Sequence, residues 1–494
     1  QRGALTRESI HLQTLCLSDQ AARLAWLAEH VPQLPGTGII YTLTKRDAER
    51  VTQWLVKNNI KAETYHASVT SESFESTADY REFLEDQLLK NRIKALVATV
   101  ALGMGYDKPD LGFVIHFQAP ESIISYYQQV GRAGRSIDKS FGVLLMGKED
   151  HVVHRFFREN SFPSEQEVSL ILEALENSDG LNIRGIEQKA NIGYGAIDKA
   201  LKYLSVEDPS PVFFKERLWF RTPTNYKLDH ERIGHLTNLR ETEWKDVLEY
   251  INHKGCQMQF LAAKLDDPAT VPCGKCSNCR RSPVISEECP SHMVEEALRF
   301  LKLSEFELHP KKQVAQGSFP IYGFRGNLKK DLLPETGRIL CRLGDIAWGE
   351  MALEDIRVKR FRDELVDAMV DMVSKRWVMD PAPTWVTCVP SLRNPRLVSD
   401  FAGKVAQGLG LPFSESVIKV RNNEPQSLQH NRFHLCNNLD GAFEVSNVKT
   451  GAPVLLIDDL VHSGWTITVV SILLRRQGSG PVWPLALTTD NNSI

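Results

Sequence analysis

Short apolar runs alternate with helix-spaced apolar residues along the first third of the chain. Residues 38–42, 62–65, 95–99, 112–117 and 142–146 are compact apolar runs of strand length, while 47–57, 80–90 and 122–130 carry apolar positions at helical spacing. Strand and helix in strict alternation predict a parallel sheet covered by helices, with ligand-binding loops at the strand ends. The pattern then changes. Residues 165–177, with Val168, Ile171, Leu172 and Leu175 on one face, predict a helix, and 183–190 and 195–204 predict two more. Two short strands joined by a tight turn follow at 212–216 and 218–222. Three helices and a hairpin are a winged-helix pattern. Its third helix carries Lys199 and Lys202, and its hairpin Lys215, Arg217 and Arg221, all placed to meet phosphates. The alternative is a spacer or protein-docking module whose charges are solvated.

Further along, 282–290 reads as a linker, 293–303 as a helix, and 306–332 is rich in glycine, proline and lysine. Near the end, the apolar run Val454–Ile457 meets Asp458 and Asp459, then a short polar loop, then a helix. Trp219, Trp244, Trp348 and Trp377 sit at core spacing and are expected to be buried.

Composition narrows the picture. At 494 residues the chain exceeds one core, so three to four domains are expected. Hydrophobic content of 42% and charged content of 24% are those of ordinary globular protein, and a net charge of −3 confines any nucleic-acid contact to local patches. No apolar run approaches membrane-span length. Nine cysteines, odd in number and mostly scattered, do not make a secreted disulfide scaffold, which implies a cytoplasmic protein.

The densest chemistry lies in Tyr126-Tyr127-Gln128-Gln129-Val130-Gly131-Arg132-Ala133-Gly134-Arg135. Small residues let the backbone approach a polyphosphate, and two guanidiniums three residues apart can reach charge developing on a γ-phosphate. Upstream, Val97 to Asp110 is a strand running into a glycine-rich loop, and Tyr65-His66-Ala67 lies between it and the first strand. In order and spacing these blocks resemble the second motor lobe of RecQ-type DNA helicases over about residues 38–157. The resemblance implies that Arg132 and Arg135 contact ATP held by a first lobe, and that Gln128 couples ATP to DNA. It also implies that Tyr65, His66, Thr99, Gly103 and Gly105 line the DNA-facing and interlobe surface, and that movement along the strand is 3′ to 5′. The sequence contains no Gly-x-x-x-x-Gly-Lys-Ser/Thr loop and no Asp-Glu-x-His box. The expectation is a fragment lacking the first lobe, unable to hydrolyse ATP alone, with ATP and Mg2+ binding only when that lobe is present.

Cys273-x-x-Cys276-x-x-Cys279 places three thiolates within reach of one metal, and Cys256 closes a tetrahedron, predicting a structural zinc site. Lys275, Arg280 and Arg281 are expected to lower the thiol pKa values. The sixteen residues between Cys256 and Cys273 match the RecQ zinc module. In RecQ proteins, however, that module follows lobe 2 directly and precedes the winged helix; here the order is reversed.

The Val454–Thr466 segment resembles the phosphoribosyl-diphosphate signature of type I phosphoribosyltransferases, and Arg421 to Phe443 that of the ComF-like subgroup. By this resemblance Asp458 and Asp459 bind ribose hydroxyls and His462, Ser463, Gly464, Trp465 and Thr466 form the phosphate cradle at a helix N-terminus. Val389 to Arg393 would be the pyrophosphate-side loop, with Arg393 on the ligand. His462 replaces the usual small hydroxyl residue, and Trp465 is expected to stand bulky beside the phosphate.

The expected architecture is a multidomain α/β chain: a RecA-like parallel-sheet lobe (1–160), a winged helix (161–230), a zinc-binding helical module (231–285), a linker and helical region (286–375) and a phosphoribosyltransferase-like α/β domain (376–494). The leading function is the DNA-binding, motor-completing part of a RecQ-like ATP-dependent helicase in DNA recombination or repair, at the bacterial nucleoid. Its partners would be single-stranded, forked or 3′-tailed DNA and a nucleotide, with structural Zn2+, and phosphoribosyl diphosphate with Mg2+ in the tail. The alternative is a phosphoribosyl-diphosphate-dependent transferase tethered to DNA.

Overall fold

The structure is a computed structural model that describes residues 8–71, 73–103, 106–267, 271–303, 305–346 and 348–490. Gly105 therefore lies outside the described residues.

The chain begins with β1 (Ile10–Cys16), α1 (Gln20–His30), β2 (Thr37–Tyr41), α2 (Lys45–Lys57), β3 (Ala62–Tyr65), α3 (Thr77–Leu89), β4 (Ala95–Ala98), β5 (Leu111–His116), α4 (Ile123–Val130), β6 (Ser140–Met146) and α5 (Asp150–Glu159). The six strands form one sheet in the order β1-β6-β5-β2-β4-β3, all pairs parallel. Both faces are covered, so β2, β4, β5 and β6 are buried end to end and read as unbroken apolar runs. Side-chain caps start the helices: Thr44 Oγ1 accepts the Asp47 N–H, Ser76 that of Asp79, and Ser122 that of Ser125. Gly38 is required by close packing, since a Cβ there would stand 2.2 Å from the Phe113 ring. β1 and α1 carry no expectation from the sequence. They hold Arg23, whose buried guanidinium pairs with Asp150 (3.2 Å) and Glu149, donates to the Phe117 carbonyl (2.7 Å) and stacks on the Phe117 ring.

Next come α6 (Glu165–Glu176), α7 (Ile183–Lys189), α8 (Tyr194–Ser205) and the antiparallel pair β7 (Val212–Lys215) and β8 (Leu218–Arg221). Ser164 and Glu167 form a capping box on α6, and Asn182 caps α7. Val168, Ile171, Leu175, Ile186, Ile197, Leu201, Leu204 and Val212 make a separate small core. Glu216 and Arg217 turn the hairpin with φ of 51° and 66°, the two positive values a type I′ turn needs.

The chain continues through α9 (His230–Asn252), α10 (Gln257–Lys264), α11 (Ser277–Arg280) and α12 (Ser291–Leu303), then β9 (Phe306–Leu308), β10 (Gly337–Arg342), α13 (Trp348–Val358) and α14 (Asp363–Asp371). Last are β11 (Trp385–Cys388), α15 (Leu397–Leu409), β12 (Val417–Lys419), α16 (Arg432–Asn437), β13 (Phe443–Val445), β14 (Val454–Val461), α17 (Trp465–Arg476) and β15 (Val482–Thr489). A five-stranded sheet runs β11-β14-β15-β10-β9, parallel except for β9, and β12 pairs with β13 as a separate antiparallel ribbon. One apolar cluster packs α14 and α15 on this sheet and a second packs α17 with Phe319 and Phe324.

The chain divides into two compact units, and the division does not follow chain order. The described residues up to Ser161 join Asp229–Phe300, and Phe162–Leu228 joins the described residues from Leu301 onward. The first unit has one continuous core: Trp244, Val247 and Tyr250 of α9 and Met258, Phe260 and Leu261 of α10 share it with Tyr126, Val130 and Leu144 of the lobe. The order that set this sequence apart from RecQ proteins is thus an excursion, and in space the cysteine helices pack directly on the lobe. Residues 284–289 lie along the lobe: Gln13 accepts the N–H groups of Val284 and Ile285, and the Trp26 indole donates to the Ser286 carbonyl. Of the four tryptophans expected in cores, Trp244 and Trp377 are buried. Trp219 and Trp348 are only half-buried, packed at the margins of their clusters.

Candidate functional site

Three loops gather at the carboxyl ends of β4, β5 and α4. Arg132, at the end of α4, is buried and its guanidinium donates to the carbonyls of Gly103 (2.9 Å) and Tyr106 (3.0 Å). It thereby ties the glycine-rich loop after β4 to the Gly-Arg-Ala-Gly-Arg turn. Arg135 is more open and pairs with Asp107 at 2.7 Å. Gln128 is exposed. Its neighbour Gln129 turns inward to His116 Nε2 at 2.6 Å, and burial pushes the His116 pKa down to about 4. Thr99 is buried and its hydroxyl accepts from Ala101 N–H at 3.4 Å. Gly103 has open space where a Cβ would be. Tyr65 donates its hydroxyl to Glu85 at 2.5 Å, and His66 contacts Glu49 at 3.2 Å, so both side chains are engaged within the lobe.

Residues 23–136 match the helicase conserved C-terminal domain. The ATP-dependent DNA helicase RecQ of Synechocystis sp. is 26% identical over 286 residues, 55% of this chain and 55% of that protein. RecQ of Bacillus subtilis is 38% identical over 130 residues, 26% of this chain and 21% of that protein. The probable ATP-dependent DNA helicase RecS of B. subtilis is 25% identical over 282 residues, 56% and 53%. The chain spans about half the length of the first and third of these. The comparisons support a RecQ-family helicase C-terminal part with a parallel-sheet lobe of the helicase C type.

The helicase lobe carries the cysteine cluster on its own core. The Sγ atoms of Cys256, Cys273, Cys276 and Cys279 all lie within 4.8 Å of one another. A tetrahedron with metal–sulfur bonds of about 2.3 Å needs sulfurs roughly 3.8 Å apart, so the cluster is compatible with zinc. Backbone amides point at the sulfurs: Cys273 N–H at Cys256 Sγ (3.2 Å), Cys276 N–H at Cys273 Sγ (3.4 Å) and Cys279 N–H at Cys276 Sγ (3.4 Å). Hydrogen bonding to Cys276 pushes the Cys273 thiol up to about 12, and the same bond lowers Cys276. The sequence assigned the lowering to nearby cations; thiol–thiol bonds, burial and backbone amides set the shifts instead. Lys275 is turned away, its ammonium donating to the Glu8 carbonyl at 2.5 Å.

In the second unit, Lys202 pairs with Asp198 within its own helix, and Lys199 reaches the Phe162 carbonyl at 3.5 Å. Lys215 and Arg217 are exposed at the hairpin tip, Lys215 beside Glu216 at 3.7 Å. Arg221 does not join them: its guanidinium donates to the carbonyls of Pro211, Thr222 and Thr224.

At the carboxyl end of β14, Asp458 is buried and its Oδ1 accepts the Asp459 N–H at 3.0 Å. Burial first, then the Asp459 charge, pushes the Asp458 carboxyl well above its ordinary range, and burial raises Asp459. Gly464, with φ of 79°, starts α17. His462 Nδ1 lies 2.8 Å from Asp490, and Ser463 Oγ accepts the Trp465 N–H at 3.5 Å. Thr466 is half-buried in the first turn. Trp465 is a correction: its indole is buried in the core near Phe319, so only its backbone faces the loop. Arg393 is exposed on the loop after β11. Two lysines that the sequence did not single out complete this end. Burial and the neighbouring Arg393 push the Lys419 ammonium down, while Asp458 raises it. Lys311 lies over Gly464, where a Cβ would stand 3.5 Å from its Cε, and burial lowers its pKa. Lys311 sits in a segment without apolar periodicity and Lys419 ends a strand of only three residues, so neither was marked as part of a site.

Proposed function

We propose that this chain is the DNA-handling and motor-completing part of a RecQ-like, ATP-dependent 3′–5′ DNA helicase acting in DNA recombination or repair. The observation that carries this reading is the Arg132 bridge between the Gly103 loop and the Gly-Arg-Ala-Gly-Arg turn. An arginine that joins these loops lets one transmit to the other the charge change at a nucleotide. In this reading Arg135 reaches an ATP–Mg2+ complex held by a first lobe, Gln128 couples it to DNA, and the Thr99–Gly103 loop faces the strand. The three helices and hairpin act as a winged helix, with Lys199, Lys202, Lys215 and Arg217 on phosphates. Zn2+ on the four cysteines holds α9–α11 in place. The experiment is fluorescence anisotropy of labelled single-stranded and forked DNA across a salt series, with and without zinc chelation. Salt-dependent binding that chelation weakens supports the reading; no binding near physiological salt sinks it.

The carboxylates and cations at the end of β14 favour a second component, a phosphoribosyltransferase-like tail. Asp458 and Asp459 would hold ribose hydroxyls or the Mg2+ of phosphoribosyl diphosphate, with the 463–466 amides and Arg393 on its phosphates. Diphosphate release from phosphoribosyl diphosphate would make the tail a transferase tethered to DNA; binding without release would make it a sensor. The place of action would be the cytoplasm, at the nucleoid; no helix among the described residues is long and apolar enough to cross a membrane.

A further inference from the structure

Residues 309–330 hold five Lys or Arg and no Asp or Glu, in a chain whose net charge is −3. This loop between β9 and β10 folds back on itself: the Lys312 carbonyl accepts the Leu328 N–H (2.8 Å) and the Gly326 carbonyl the Val314 N–H (3.0 Å). Lys312 is thereby set beside Lys329. Lys312, Arg325, Lys329 and Lys330 are all exposed, and none forms an ion pair among the described residues. The apolar side of the loop faces inward. Phe319 and Phe324 are buried in the cluster around α17, and the Asp440 carboxylate accepts the N–H groups of Ile321 (2.7 Å) and Tyr322 (2.9 Å). The loop is pinned from beneath, with its cations left outside.

The end of α17 adds to this charge. The Arg476 guanidinium lies 4.4 Å over the Phe324 ring and donates to the Tyr322 carbonyl (2.8 Å), and Arg475 donates to the Asp331 carbonyl (2.9 Å). Carbonyls meet both arginines, and no carboxylate among the described residues pairs with either. The loop also touches the start of α17, where Lys311 donates its N–H to Thr468. A helix of twelve residues is about 18 Å long. That length spans about five phosphates of one DNA strand.

The basic loop continues towards α8. Asn431 donates its side-chain amide to the carbonyls of Glu187 (2.9 Å), Ala190 (3.0 Å) and Ile192 (3.0 Å), and Asn191 donates to the Leu428 carbonyl (2.8 Å) and accepts the His430 N–H (2.9 Å). These bonds fix the α7–α8 turn against the tail. Arg432, next in the chain, reaches Gln313 of the loop at 3.4 Å and lies beside the Glu187 carboxylate. In the first turn of α8, Tyr194 is 57% exposed and Gly195 faces open space.

We propose that the 312–330 loop and the end of α17 form a second phosphate-binding surface, which takes the backbone of duplex DNA running on from the first turn of α8. The proposal rests on the reading of the three helices and hairpin as a DNA-binding winged helix, whose recognition helix enters the major groove by its first residues. A duplex seated there meets the tail, because the tail lies against the same turn. The partner is a duplex and not a single strand, because the loop offers charge without a stacking platform. Phe319 and Phe324 are buried, and the Tyr322 hydroxyl is held by Phe443. Exposed lysines and arginines grip phosphates without reading bases.

The test is fluorescence anisotropy of the full chain with a labelled blunt duplex, and with one of its strands alone, across a salt series. One variant combines Lys312→Gln, Arg325→Gln, Lys329→Gln and Lys330→Gln; its melting temperature should match the parent's, since all four side chains are exposed. Its plot of log affinity against log salt for the duplex should be shallower by about 3 to 4. In the parent, the duplex should shield Lys312, Lys329 and Lys330 from chemical acetylation. An unchanged slope, or lysines acetylated as fast with the duplex as without it, overturns the proposal. An equal fall in slope for the single strand overturns the assignment to duplex. A second variant, Lys215→Gln with Arg217→Gln, separates this surface from the winged helix. A slope changed only by the loop variant leaves the tail surface standing and sinks the winged-helix reading. A slope changed only by the hairpin variant does the reverse, and a parent that binds no duplex sinks both.

Discussion

The helicase lobe and the tail are both sheets of mainly parallel strands with loops gathered at strand carboxyl ends, yet at those ends they treat charge differently. In the lobe nearly every buried or half-buried charge is answered at home. Arg132 is taken by two carbonyls, Arg135 by Asp107, and Arg23 by Asp150, Glu149 and a carbonyl. In the tail two adjacent carboxylates are buried together, and Lys311 and Lys419 lose hydration without an ion pair among the described residues. Unanswered charge in a folded protein costs stability and persists where something else supplies the answer. The lobe thus closes these charges within its own fold, while the tail leaves several of its own open.

The largest effect should come from the metal centre, because the cysteines share the lobe's core. Chelation or Cys276→Ser should lower the melting temperature of the first unit by about 10 °C or more, with zinc stoichiometry falling in parallel. A melting curve untouched by chelation would break the view of the lobe as self-sufficient only when metal-loaded. Next, Arg23→Met leaves Asp150 buried beside no cation and should cost about 3–5 kcal/mol by denaturant unfolding. A neutral outcome would mean the lobe's charges are no better answered than the tail's.

The third test is pH. His116 and His154 are both pushed down to about 4 by burial. A histidine that stays neutral in the fold and protonates when unfolded gives stability that is present above pH 6.5 and lost as pH falls towards 4. Each should cost the first unit about 2 kcal/mol at pH 5 relative to pH 7. Asp150, pushed up to about 6 by burial, runs the other way and returns about 1 kcal/mol. Chemical unfolding at the two pH values checks the net loss. The smallest effect has the opposite sign and sharpens the comparison most. Asp458→Asn keeps the acceptor for the Asp459 amide and removes one of two buried charges, so the tail should gain about 1–2 kcal/mol while losing phosphoribosyl or Mg2+ binding. Destabilisation by this change would remove the distinction between the two sheets.

How far the chain could be read in advance follows the same divide. Elements made by local pattern came through: β3 spans 62–65 as expected, and α8 and the hairpin shifted by only one residue at their ends. The cysteine spacing foretold a cluster that the fold does bring together. Features depending on partners far along the chain did not come through. Nothing around Asn431 announces that its amide will meet carbonyls some 240 residues away. Trp465 reads as a bulky loop residue until φ at Gly464 turns the helix start and sends the indole inward. Strand order, with β1 at the edge beside β6, was likewise invisible, since parallel pairing leaves no mark of its neighbour in an all-apolar run.

The excursion of Phe162–Leu228 also orders events during synthesis. Its three helices own a separate core whose last contributors are Trp219, Tyr226 and Leu228, so they can close once Leu228 has left the ribosome. The lobe's core cannot close then, because it still lacks Trp244, Tyr250, Phe260 and Cys276. At roughly 5–20 residues per second, the cysteine helices follow several seconds later. The inserted module therefore has a head start over the domain that encloses it in sequence. A ribosome that stalls in that interval leaves the faces of α4 and β6 uncovered, and chaperone capture of this chain should peak there.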